Sequence, residues 1–307
     1  MLTIILFTVS SQVHAHVKIE SYHIFAKFKP LDQGSTTVDR DRARFQSLIM
    51  SKGQEKRAES VGLKNMTFGY TINVGLGSPP TSYNLVVDTG SSYTWIGSEK
   101  YAETSTSIKQ GDKRFKSRYA SGWVTGAHYK DLLTLSPSLN IPNMEFGVAS
   151  SIENIDADID GILLRMSPSS VVKRDNNFED RSKGDINGRL TFGESDPTSY
   201  TGELNWVGIE KQENSEYSQH WSFKQSIKEE YELTPSAQLW PRALSYLISG
   251  HPDAHYSVIR SLEDLAVETR TGFVLGHVFM QRFYTAYDAS NSKIGFAYTP
   301  STYLTVD

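Results

Sequence analysis

The 307-residue chain carries 31 Lys and Arg against 35 Asp and Glu, a formal charge of −4, with 38% hydrophobic and 21% charged residues. That balance suits a globular chain with room for two modest cores, and it argues against a basic nucleic-acid binder. Cysteine is absent, which excludes a disulfide framework and a thiolate metal site, and no apolar run is long enough to cross a bilayer as a helix.

Residues 1–15 are uncharged and apolar and end in Val13-His14-Ala15, which predicts a signal peptide and a secreted, extracellular protein. Residues 16–57 hold nine Lys and Arg against five Asp and Glu, so this leader is +4 while the remaining 22 and 30 leave residues 58–307 at −8. A basic leader on an acidic body predicts a propeptide held electrostatically over a carboxylate-lined cleft. Lys56-Arg57, ahead of Ala58, resembles a kexin-type dibasic cleavage site at its end, and Asn65-Met66-Thr67 is an N-glycosylation acceptor just beyond it.

Tyr70, Ile72 and Val74 alternate with polar residues as a half-buried strand does, and Gly75-Leu76-Gly77-Ser78-Pro79-Pro80 breaks it into a turn. A returning strand, Tyr83 to Val87, delivers Asp88 to a loop in which Gly90 lets the backbone turn sharply. Ile141–Val148 and Gly188–Gly193 read as further short strands. Glu210–Glu216 reads as a solvated loop, and Leu239–Leu247 is the best helical candidate. The class is mainly β.

Asp88-Thr89-Gly90-Ser91-Ser92, following Leu85-Val86-Val87, resembles the catalytic loop of pepsin-like aspartic endopeptidases. Trp95 stands at the family's offset, and Tyr119-Ala120-Ser121-Gly122 resembles the flap that closes over substrate, with Ala120 where the flap usually has Gly. The likeness covers most of residues 60–300 and is greatest to the secreted polyporopepsin-like enzymes of wood-rotting fungi. It implies a bilobal acid-protease fold, with an N-terminal lobe over 58–196 and a shortened C-terminal lobe over 197–307. It also implies roles: Asp88 as a catalytic acid, Thr89, Gly90, Ser91 and Trp95 as its support, and Tyr119, Ser121 and Gly122 over the substrate.

That chemistry uses two carboxylates. One takes the proton of the attacking water while the other, protonated, bonds the peptide carbonyl oxygen. Only one Asp-Thr-Gly occurs in this chain. Trp221–Lys228 resembles the strand before the second loop and Tyr231–Thr234 a strand well after it, with only Glu229 and Glu230 between. The expected function is therefore peptide-bond hydrolysis at acidic pH by descent, impaired in this chain. The alternative is a non-catalytic module that binds peptide or glycan in the same cleft.

Polypeptide substrates and the chain's own propeptide are the expected partners; no cofactor, metal, nucleic acid or membrane is. Asp156, Asp158 and Asp160 give half a calcium-loop pattern, but Ser167 stands at its twelfth position. His251 and His255 have zinc spacing, yet Pro252 opposes the helix they would need. A homodimer pairing two Asp88 loops would be obstructed by the second-lobe segments, so a monomer is expected.

Overall fold

The computed structural model describes residues 59–66, 69–89, 93–97, 99, 101–119, 122–153, 155, 159–164, 170–174, 186–193, 195–209, 221, 223, 231–259, 274–288 and 291–304. The signal, leader and dibasic expectations, Gly90 to Ser92, Ala120 and Ser121, and the Glu210–Glu216 loop lie outside them.

The chain is mainly β, as its alternating runs predict. Among the described residues thirteen strands run in order: β1 (Glu59–Asn65), β2 (Tyr70–Leu76), β3 (Thr81–Asp88), β4 (Trp95–Gly97), β5 (Ile108–Arg118), β6 (Trp123–Thr134), β7 (Asn140–Glu153), β8 (Gly161–Leu164), β9 (Ser170–Arg174), β10 (Ile186–Phe192), β11 (Thr201–Gly208), β12 (Phe283–Asp288) and β13 (Lys293–Tyr298). Among the described residues one α-helix, α1 (His277–Arg282), precedes β12. All thirteen strands belong to one continuous sheet, ordered β11-β13-β12-β9-β10-β1-β2-β3-β8-β4-β7-β6-β5. An extra pairing of β2 with β6 closes the run from β2 to β6 into a ring.

Two cores lie on opposite faces of that ring's wall. Leu85, Ile96 and Leu163 belong to the main core, whereas Val86, Trp95 and Ile162 belong to a smaller one with Phe115, Val124 and Ala149. Adjacent residues of one strand thus point into different cores, as pleating requires. Burial on both faces explains why Leu85-Val86-Val87 is an unbroken apolar run rather than an alternating one.

β9 joins the two ends of the chain. It pairs antiparallel with β10 on one side and with β12 on the other. The charged stretch beginning at Lys173 therefore starts within a strand, because Ser170–Val172 pair with β12 and the pairing with β10 carries on through Lys173 and Arg174. Nearby, Asp196 caps a 3-10 turn over Pro197–Ser199, and its backbone N–H donates to Tyr284 Oη at 3.0 Å.

The helical reading of Leu239–Leu247 needs correction. Leu239 is extended and bridges Ser257, and short 3-10 turns occupy Ser236–Gln238 and Arg242–Ile248. Pro241 supplies the reason: it offers no N–H and disfavours helical backbone at Trp240, so the turn can begin only after it.

Four tyrosines give the fold a defined alkaline limit. Burial is the first cause that pushes Tyr83, Tyr101, Tyr129 and Tyr284 above the ordinary value of 10.0, and Tyr83 rises to about 12. Nearby Asp160 and Asp131 add to the rise at Tyr83. Because the folded values lie above the unfolded one, this stabilisation is complete below pH 10.0 and drains as pH climbs through the folded values. Absorbance titration at 295 nm should show these phenols ionising together with unfolding. Ionisation near the ordinary value in a chain that stays folded would contradict it.

Candidate active site

The site begins with the topology around Asp88. β3 ends at Asp88 and pairs in parallel with β8, Asp88 lying opposite Leu164. β8 in turn pairs antiparallel with β4. Consecutive strands β3 and β4 are thus separated by β8, which pairs with both of them. Period-two alternation places Asp88 on the face shared with Val86, the side of the smaller core and of the β5–β6 hairpin. Asp88 and Thr89 are half-buried.

The β5–β6 hairpin meets these strands through Tyr119. Tyr119 and Gly122 exchange backbone hydrogen bonds at 2.7 and 3.3 Å, joining the ends of β5 and β6. The side chain of Tyr119 packs against the smaller core. Trp95, only 1% exposed, donates from Nε1 to Tyr119 Oη at 2.8 Å. A buried indole N–H needs such an acceptor, so the bond ties the hairpin tip to the strand after the Asp88 loop. Tyr119→Phe should cost about 1–3 kcal/mol through the orphaned donor, read as a lowered melting temperature; an unchanged melt would contradict this account of the pair.

Residues not singled out from the sequence complete the surroundings. Tyr93 stacks on Phe115 with ring centres 4.9 Å apart and hydrogen-bonds His128 Nδ1 through its hydroxyl. Thr89 Oγ1 faces Met280 of α1 at 3.8 Å, and Tyr287 Oη donates to the same sulfur at 3.7 Å. Met280 carries no local signal of this position, because it arrives from a segment 191 residues away. His277 opens α1 half-buried, accepts from Gln281 Nε2 at 2.9 Å and lies beside Tyr70. Asn65 ends β1, remote in sequence from the Asp88 loop. Among the described residues no group of acidic and histidine side chains is arranged to hold a metal, and no helix is long and apolar enough to cross a membrane.

Comparison with known proteins decides the family. Polyporopepsin of Irpex lacteus is 30% identical, in an alignment covering 81% of this chain and 99% of that protein. The chain belongs to the pepsin-like aspartic protease family. The family model "Eukaryotic aspartyl protease" matches residues 69–181, a span holding the Asp88 loop and the Tyr119 hairpin. Gastricsin of Cavia porcellus is 23% identical over 76% of this chain and 80% of its own. The crystal structure of the aspartic proteinase from Irpex lacteus superposes with a TM-score of 0.67 at 27% identity, covering 82% of this chain and all of that one. The fold is accordingly the pepsin-like one, and proteases of this family act on polypeptides.

Proposed function

We propose that this chain is a secreted, zymogen-type aspartic endopeptidase by descent, acting at acidic pH in its complete form, and impaired in peptide hydrolysis as it stands. Residues 1–15 are its signal peptide, 16–57 its basic propeptide released after Lys56-Arg57, and 58–196 and 197–307 its two lobes, the second shortened. Asp88 is one half of the catalytic pair. Thr89, Gly90 and Ser91 brace its loop, and Trp95 holds Tyr119, which with Ser121 and Gly122 closes over substrate.

The observation that carries the impairment is the single Asp-Thr-Gly. A lone carboxylate can either take a proton or give one in a given step, and general acid–base contributions of about 10²–10⁴ fail together when one partner is lost. Two findings support a missing segment. The alignment to polyporopepsin spans 345 positions but uses 81% of a 307-residue chain, about 249 residues, so about 96 positions have no counterpart here. Thr89 also meets a thioether of α1 rather than a second acidic loop. The same observation favours a second reading, a non-catalytic module that binds peptide or glycan in the retained cleft.

Mass spectrometry of the secreted product tests the processing: a mature chain beginning at Ala58 and glycosylated at Asn65 is expected, and an intracellular product retaining residues 1–57 would contradict it. Incubating that product with denatured haemoglobin at acidic pH tests the impairment, with cleavage no greater than in Asp88→Asn expected. A genomic stretch encoding Asp-Thr-Gly-Thr between the codons for Lys228 and Tyr231 would assign the complete activity to a longer transcript.

A further inference from the structure

β5 stands apart from the acidic body that carries it. Its sequence, Ile108-Lys-Gln-Gly-Asp-Lys-Arg-Phe-Lys-Ser-Arg118, contains five basic residues and one acidic one, whereas residues 58–307 as a whole are −8. It is also a terminal strand of the sheet, hydrogen-bonded to β6 on one side and to no other strand among those described. Phe115 and Ser117 are buried, while Lys109, Arg114 and Lys116 are exposed. Arg114 bonds Ser150 Oγ at 3.2 Å, and Lys116 lies 5.2 Å from the Trp123 ring centre. Neither contact neutralises a charge. The carboxylate of Glu145 in the same sheet is already paired with Lys130 at 2.9 Å.

We propose that β5 is a docking edge for an acidic polypeptide segment, which adds to the sheet as a further strand. An edge strand presents a row of backbone donors and acceptors that a second extended chain can pair with. Lysine and arginine on that edge repel a second copy of this same strand, so self-pairing is disfavoured and an acidic chain selected. Arg114 and Lys116 are two residues apart on one face, about 7 Å, which matches the repeat of acidic side chains at alternate positions of an extended peptide. Opposite charges directly across two strands attract, and like charges repel. β5 also leads directly into Tyr119, so a chain lying along it continues toward the residue that Trp95 ties to the strand after the Asp88 loop. The edge therefore selects acidic polypeptides for the cleft. This rests on the polypeptide-binding part of the reading above but not on hydrolysis, and binding is measured without cleavage.

The test uses the full chain and a short fluorescein-labelled peptide of alternating Glu and Thr, followed by fluorescence anisotropy at neutral pH. Binding is expected at low salt and lost near 1 M salt, where the Debye length is about 3 Å. Lys109→Glu with Lys116→Glu should weaken it about tenfold or more, whereas Lys64→Glu with Arg242→Glu, an equal change in net charge elsewhere, should leave it within about twofold. The wild-type chain supplies an independent arm: backbone N-methylation of alternate peptide residues should abolish binding, because strand addition needs those N–H groups. Equal binding of a control peptide of alternating Lys and Thr, indifference to N-methylation, or binding of a sulfated polysaccharide but not the acidic peptide would each overturn the proposal. Hydrolytic failure of Asp88 would leave all of these outcomes unchanged.

Discussion

Asp131→Ala should lower the stability of the chain by about 3–5 kcal/mol, among the largest losses for any single side chain outside the apolar cores. Asp131 sits on β6 with no exposure to solvent. Its Oδ1 accepts from Thr106 Oγ1 at 2.5 Å and from the backbone N–H of Leu132 at 2.8 Å. Its Oδ2 accepts from Ser107 Oγ at 2.6 Å and from Tyr101 Oη at 3.1 Å. Three of these donors come from one loop, residues 101–107, which in turn grips the turn after β2 through Thr104 Oγ1 and the N–H of Ser78 at 3.0 Å. Alanine would remove the acceptor that four donors share, leaving Tyr101 Oη and Thr106 Oγ1 only their neighbouring hydroxyls, and release the loop. Asparagine keeps an acceptor oxygen but turns an N–H₂ toward donors, so it should fall between, at about 1–3 kcal/mol. Thermal melts check both: the alanine variant should melt on the order of 10 °C lower. A melt within a degree or two of the parent would show that Asp131 does not organise the loop.

Gly161→Ala should be comparably damaging for a different reason. A Cβ at this position would lie 2.1 Å from the carbonyl oxygen of Trp95 and 2.8 Å from the Cα of Ile96. Both obstacles are backbone, so no rotamer change relieves them. β8 would have to move away from β4, and β8 is the strand that pairs Asp88 at the end of β3. The expected cost is about 3 kcal/mol or more. Hydrogen exchange locates it: amides of β3, β8 and β4 should lose protection before those of β12 and β13. Uniform loss across both ends of the sheet, or none, would contradict this localisation.

Much of this arrangement was legible in the sequence where a local rule applied. The β2–β3 hairpin follows from alternation and a Gly-Pro turn, and the Leu85–Val87 run announces a strand covered on both faces. Ala102–Ser107 and Gly161–Leu163 carry no local signal, since the reasons for their residues are non-local: a carboxylate on β6 in one case and the backbone of β4 in the other. Non-local packing also hides Met280, which meets Thr89 across the chain, and the charged β9, whose strand state comes from pairing on both sides. At Leu239–Leu247 apolar spacing suggested a helix, and the geometry imposed by Pro241 prevailed. The basic pattern of β5 is plain in the sequence, but its standing as a sheet edge is a property of topology alone.

The central claim is that one carboxylate cannot perform a step that uses two. Its most direct measurement is the pH profile of kcat/KM for an internally quenched peptide, taken between about pH 2 and 7 on the mature chain and on Asp88→Asn. A carboxylate pair sharing a proton gives a bell with two separated apparent pKa values. The predicted result is no turnover above the Asp88→Asn background at any pH. A bell-shaped profile in the parent that vanishes in Asp88→Asn would contradict the account and require a second acid from elsewhere in the chain.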